Sequence, residues 1–191
     1  MASIVSDLTA STGVTTPASV YGHTGEVKLR IATGGAGQTG VLRELAERFI
    51  DYCSGHPAIA KRLSPFQIAW LATDTSQSFN ALASNAADIA ITYHPYAEYM
   101  AWCQGITVRE EYLWRDAFDL VGPVSNPANL PVQSDKSVFE LFAQLYQMAV
   151  ASSTNDPIRF LSRFDKSANN ILESRIWTSI GLTPWSSPSY V

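Results

Sequence analysis

The stretch "LRIATGGAGQTGVLREL", Leu29 to Leu45, enters a glycine-rich turn as an apolar run and leaves it as a helical pattern. Val27, Leu29 and Ile31 alternate with Lys28 and Arg30, which predicts a strand over Val27–Ala32. Val41, Leu42, Leu45, Ala46, Phe49, Ile50 and Cys53 then recur at helical spacing, with Arg43, Glu44, Glu47 and Arg48 on the other face. Gly55-His56-Pro57 ends that helix. Between the two elements Gly35, Gly37 and Gly40 spell G-x-G-x-x-G.

That spacing raises the question of a dinucleotide cradle. Such a cradle needs an acidic residue at the end of the second strand, about 20 residues on, to hold the ribose. Here the second strand ends at Thr73-Asp74, more than 30 residues past Gly40. A phosphate-binding P-loop fails as well, because no Lys-Ser/Thr follows the glycines. The physics beneath both motifs survives. A glycine turn leading into a helix exposes backbone N–H groups, and the helix dipole adds positive potential. Thr33 adds a hydroxyl, and the loop holds no carboxylate. A plain tight turn is the simpler reading of the same residues.

Outward from this corner the pattern continues as β-α-β-α. Phe66–Thr73 is a predicted strand, and Ser76 is the expected N-cap of a helix reaching about Ala86. Asp88–Tyr93 is nearly all apolar, as a strand covered on both faces should be. Pro95 opens a helix to about Gln104. This alternation predicts a largely parallel, helix-covered sheet. Phe118–Gly122 reads as another strand, Val138–Ala149 as a helix, Ile158–Leu161 as a short strand, and Ser167–Ile180 as a last helix stopped by Gly181.

Bulk properties narrow the function class. The 191 residues are 46% hydrophobic and 16% charged, with a formal net charge of -4. That is core-forming material, with no dense basic run for nucleic acid and no unbroken apolar stretch for direct membrane insertion. Cys53 and Cys103 fit neither a zinc site nor a disulfide framework and read as buried thiols. His23, His56 and His94 make no metal set, and His94 reads as structural rather than ligand-binding. Trp70, Trp102, Trp114 and Tyr112 read as core or lobe-interface residues, and Trp185 and Tyr190 as a patch near the chain end. Met1–Gly25 shows no basic or continuous apolar segment of a signal peptide and reads as a loose leader.

A second corner lies in "FLSRFDKSANNILESRIW", Phe160 to Trp177. A short strand ends at Ser162-Arg163 and a helix opens near Ser167. Ser162 and Ser167 offer hydroxyls, and Arg163 offers a fixed planar fork of donors. Neutral donors and a guanidinium, read without an acid or base between them, suit binding without catalysis.

With these segments in view, the chain resembles the tungstate/molybdate-type substrate-binding proteins of ABC importers, of the type II periplasmic-binding-protein superfamily. The segments that carry the resemblance are "ATGGAGQTGVL" (Ala32–Leu42), "ITYHPYAEY" (Ile91–Tyr99), "REEYLWRDAFDLVGP" (Arg109–Pro123) and "SRFDKSANNILESRIW" (Ser162–Trp177), in register from about Leu29 to Trp185. The resemblance implies a two-lobed α/β fold of mixed, mostly parallel sheets. Residues 1–25 would be a leader, 26–116 the first lobe, 117–123 a hinge strand, 124–185 the second lobe and 186–191 a tail. It implies a small oxyanion held in an inter-lobe cleft by Thr33, Gly34, Gly35, Ala36, Thr75 and Ser76 on one side and Ser162, Arg163 and Ser167 on the other. The partner would be an ABC-transporter membrane subunit, with no cofactor and no catalysis, and the compartment periplasmic or extracellular, whereas the absence of a recognisable signal segment points to the cytoplasm as the alternative.

Two departures accompany the resemblance. The family's hydroxyl-bearing positions after Thr33 are Gly34, Gly35 and Ala36, so the first half of the oxyanion cage is thinned. The chain closes on "PWSSPSYV", where the family continues back to the first lobe, so a return crossing is expected to be missing. The rival readings are a protein of this fold kept as a scaffold after losing its ligand, and a nucleotide-binding oxidoreductase using the Gly35–Gly40 loop.

Overall fold

The computed structural model describes residues 16–133, 135–153, 155–165 and 167–186. The chain divides into two compact units, Met1–Tyr112 and Leu113–Val191. The leader's first 15 residues and most of the expected tail, with Tyr190, lie outside the described residues.

The first unit is a four-stranded mixed sheet between helices. Its strands are β1 (Ser19–Tyr21), β2 (Glu26–Thr33), β3 (Phe66–Ala72) and β4 (Ile89–Ala90), in the order β1-β3-β2-β4. β2 runs parallel to β3 and β4, and β1 lies antiparallel along β3. The helices are α1 (Gly35–Gln38), α2 (Val41–Gly55), α3 (Pro57–Ala60), α4 (Thr75–Ala83) and α5 (Pro95–Cys103).

Neighbouring residues of β2 serve opposite faces, as the strand period requires. Ile31 packs with Tyr21, Phe66 and Ile68 against Leu42, Ala46 and Cys53 of α2. Ala32 packs with Leu71 against Ala81 of α4 and with Ala87. The chain leaves β2 for β3 on one side and returns from β3 to β4 on the other. The carboxyl ends of β2, β3 and β4 therefore share one sheet edge, at the point where the winding reverses, which is where open parallel sheets hold ligands. Arg30 ties β2 to the start of β4: its Nε and Nη2 donate to Asp88 at 3.0 and 2.7 Å. Those hydrogen bonds hold the Asp88 carboxyl below its usual range.

In the second unit α6 (Val138–Ala151) and α7 (Ala168–Ser179) close over an aromatic core. Ser137 caps α6 in a reciprocal box with Glu140, which satisfies two orphan donors. Phe142 and Trp177 meet edge to face with ring centroids 4.7 Å apart, and Phe160 stands 5.4 Å from Trp177.

The structure corrects several expectations. Ser19–Tyr21, within the stretch read as leader, is a strand, and Tyr21 is part of the core. β4 is two residues long, and Ile89 is exposed at the sheet edge rather than covered on both faces. Phe118–Gly122 and Ile158–Leu161 are not strands. Among the described residues neither has a neighbouring strand for its backbone groups, and an apolar run alone does not make a sheet. Phe160 and Ile158 pack on the α6–α7 core instead. On α2 only Leu42, Ala46 and Cys53 are buried, while Val41, Leu45 and Phe49 are exposed. Cys103, Trp102 and Tyr112 are exposed rather than buried.

Candidate functional site

The first corner begins where β2 ends. Thr33 is wholly buried, and its hydroxyl donates to the Ile91 carbonyl at 3.1 Å. That proton is spent within the fold, so Thr33 positions the corner instead of offering a free hydroxyl. Its own carbonyl accepts from Trp70 Nε1 at 2.8 Å and from the Thr73 amide at 3.3 Å. After Thr33 the chain makes the single turn of α1. The Gly37 and Gln38 amides both return to the Gly34 carbonyl at 3.1 Å. The amides of Gly34, Gly35 and Ala36 have no hydrogen-bond partner among the described residues. α2 starts anew after Gly40, which is left-handed at φ 85.

The turn lies hard against its neighbours. A Cβ on Gly34 would stand 2.8 Å from the Thr73 carbonyl oxygen, so the first corner abuts the end of β3. A Cβ on Gly37 would stand 2.1 Å from Trp70 Cε2, so only glycine admits the indole there. The Tyr93 hydroxyl lies beside Gly35.

The end of β3 adds the second element of this corner. Asp74, not Ser76, is the N-cap of α4: its carboxylate accepts from the Gln77 amide at 2.7 Å while the Gln77 side chain accepts from the Asp74 amide. The aspartate wins the cap because a carboxylate is the stronger acceptor toward helix amides. Thr75 and Ser76 thereby fall in the first turn of α4, whose leading amides have no intrahelical acceptor. Thr75 is 7% exposed, and its hydroxyl has no partner among the described residues. Ser76 is exposed. Thr73 and Ser78 share a hydroxyl–hydroxyl bond of 2.8 Å that braces the turn.

Past β4, His94 is a helix cap. Its Nδ1 accepts from the Ala97 amide at 3.1 Å. The Glu98 carboxylate accepts from the Thr92 hydroxyl and from the His94 amide. This matches the structural reading of His94 and leaves its role at α5.

The second corner differs from expectation in one respect: an acid does sit between its donors. Asp165 accepts from Arg163 Nε at 2.8 Å and from the Ser167 amide at 3.0 Å. Burial pushes the Asp165 carboxyl up, but hydrogen bonds from the Ser167 side chain and backbone and from Arg163 outweigh it and hold the group down at about 2. The Ser167 hydroxyl also caps α7, accepting from the Asn170 amide at 3.4 Å. The Ser162 hydroxyl bonds to Glu173, which accepts in addition from Asn170 Nδ2. Ser162, Arg163 and Ser167 do come to one corner, each engaged with a neighbouring side chain.

Sequence reasoning missed Trp70 and Asp165 as parts of these corners. Trp70 reads as an ordinary strand aromatic, and nothing local ties it to Gly37. Asp165 stood in the motif and was signalled only by its place two residues from both Arg163 and Ser167. Among the described residues no cluster of His, Cys, Asp and Glu could hold a metal ion, and no helix is long and apolar enough to cross a membrane.

Residues 13–190 match the family model of the PBP superfamily domain, and the chain belongs to that family. Among solved structures it is similar to a periplasmic protein given as a candidate metal-binding protein, at 41% identity and TM-score 0.77, over 90% of this chain and 59% of that one. The tungstate-binding protein TupA of Desulfovibrio alaskensis G20 shares the fold at 22% identity and TM-score 0.61, over 85% and 57% of the two chains. The tungstate ABC transporter protein of Geobacter sulfurreducens shares it at 22% identity and TM-score 0.62, over 85% and 61%. The chain thus spans about three fifths of the length of these relatives. No curated protein matches it.

Proposed function

We propose that this chain binds a small oxyanion, of the tungstate or molybdate kind, as the solute-binding component of ABC-type uptake outside the cytoplasm. The observation that carries the reading is the first corner. The amides of Gly34, Gly35 and Ala36 are unpaired among the described residues, and the leading amides of α4 at Thr75 and Ser76 lie just past the end of β3. A buried Thr75 hydroxyl, without a partner among the described residues, accompanies them. Uncharged donors at a helix start hold an anion without offering it a proton or a nucleophile. The membership in the PBP superfamily supports binding and delivery to a membrane subunit over catalysis. Ser162, Arg163 and Ser167 belong to the same reading as a second set of donors that would have to exchange Glu173 and Asp165 for an anion. Thr33 enters as a support of the loop, through its bond to Ile91, and not as a side-chain ligand.

Titration calorimetry with tungstate, molybdate, sulfate and phosphate tests the proposal. The expected result is one oxyanion bound well below a dissociation constant of about 1 mM, with a favourable enthalpy from the new hydrogen bonds. Four flat titrations would reject it for this chain.

A further inference from the structure

The Trp70 indole touches both ends of the glycine turn. Its Nε1 donates to the Thr33 carbonyl at 2.8 Å, and its ring occupies the space that a Gly37 side chain would need. The Thr33 carbonyl takes a further bond from the Thr73 amide at 3.3 Å, so both its lone pairs are engaged on the β3 side. A trans peptide is planar, with its N–H pointing opposite to its C=O. Fixing the Thr33 carbonyl toward β3 therefore fixes the Gly34 N–H to point away from β3. That N–H is the first of the amides in the turn that have no partner among the described residues.

We propose that Trp70 is a positioning residue: by holding the Thr33 carbonyl and packing on Gly37, it fixes the direction of the Gly34 amide, one of the donors that the oxyanion reading assigns to the guest. This rests on the oxyanion reading above for the identity of the guest, but the aiming itself is a property of the free protein. Gly37 is the complementary half of the device, since any side chain there displaces the indole. An aromatic that only filled the core would not need an N–H at this place. Its replacement by phenylalanine would then leave the Gly34 amide where it is.

The test uses the full chain as wild type, W70F, G37A, W70A and the G37A/W70A double variant. In the ligand-free protein, the Gly34 amide resonance of W70F is expected to shift and broaden, while the α6 and α7 amides and the far-ultraviolet circular dichroism stay as in wild type. A Gly34 amide unchanged in W70F overturns the inference, whatever the protein binds. With tungstate as the probe, W70F is expected to bind about tenfold more weakly, the scale of one charge-assisted hydrogen bond. G37A is expected to weaken binding as much in the wild-type background and far less in W70A, where the indole is gone. If wild-type protein binds tungstate and W70F binds it equally well, the inference fails and the function stands. If wild-type protein binds none of the four oxyanions, the function fails, and the Gly34 resonance still decides the aiming.

Discussion

Arg163 and Asp165 are joined by two hydrogen-bond donors of one guanidinium, Nε at 2.8 Å and Nη2 at 2.7 Å from the same carboxylate oxygen. The other oxygen accepts from the Ser167 amide, at the start of α7. A cation, a backbone donor and a helix N-terminus thus converge on a carboxylate supplied by the chain itself.

That convergence has a pH signature. The Asp165 carboxyl sits at about 2, below its ordinary 3.8, so its contacts stabilise the fold fully above the ordinary value. The contribution is lost as pH falls from near 4 through about 2. The stability difference between wild type and Asp165→Asn should be constant above about pH 5 and shrink steeply below pH 4. Urea unfolding across pH 2–7 measures it. A difference that stays constant down to pH 2 would contradict the assigned contacts. The Asp165 side chain is 37% exposed, so the whole effect is moderate.

Asp74 sits beside the donors proposed for the anion, and its negative charge opposes a negative guest. Asp74→Asn keeps a capping oxygen and removes the charge. Oxyanion affinity should rise severalfold at low salt, with the gain fading as ionic strength climbs. Asp74→Ala should instead lower stability by about 1 kcal/mol through loss of the cap. Calorimetry at two salt concentrations, with thermal unfolding alongside, separates the two effects. An unchanged affinity in Asp74→Asn would place the guest elsewhere.

In the second unit, Phe142 is 4% exposed and meets both Phe160 and Trp177. Phe142→Ala should cost about 3–5 kcal/mol, through lost burial and the cavity left behind. Leu161→Ala, at a residue 92% exposed, should cost under about 0.5 kcal/mol. Chemical denaturation of both variants checks the contrast, and equal costs would contradict the core assignment.

The two cysteines differ in the same way. Cys53 is buried on the core-facing side of α2, and Cys103 is exposed at the end of α5. A thiol reagent should modify Cys103 in the native protein and reach Cys53 only on unfolding. Two equally fast thiols would contradict this burial pattern.

What the residues announce in advance follows from how local the signal is. β2, α2, β3, α5, α6 and α7 are legible because periodicity and punctuation act within each segment: Pro95 opens α5, and Gly181 follows α7 at φ 76. β1 and β4 are less legible, since Ser19–Tyr21 and Ile89–Ala90 are too short for a period and owe their state to β3 and β2. Phe118–Gly122 carries a strand-like pattern but has no partner strand among the described residues, which no local pattern reveals. The same limit applies at the corners. The glycines of the first turn are visible in the sequence. The indole that requires Gly37 comes from position 70, and the acceptor of the Thr33 hydroxyl from position 91.

The most direct measurement of the central claim is an amide-resolved titration of the labelled chain with tungstate. The amides of Gly34, Gly35, Ala36, Thr75 and Ser76 are expected to move together and saturate at one dissociation constant. Saturable binding that leaves those five amides unmoved would contradict it.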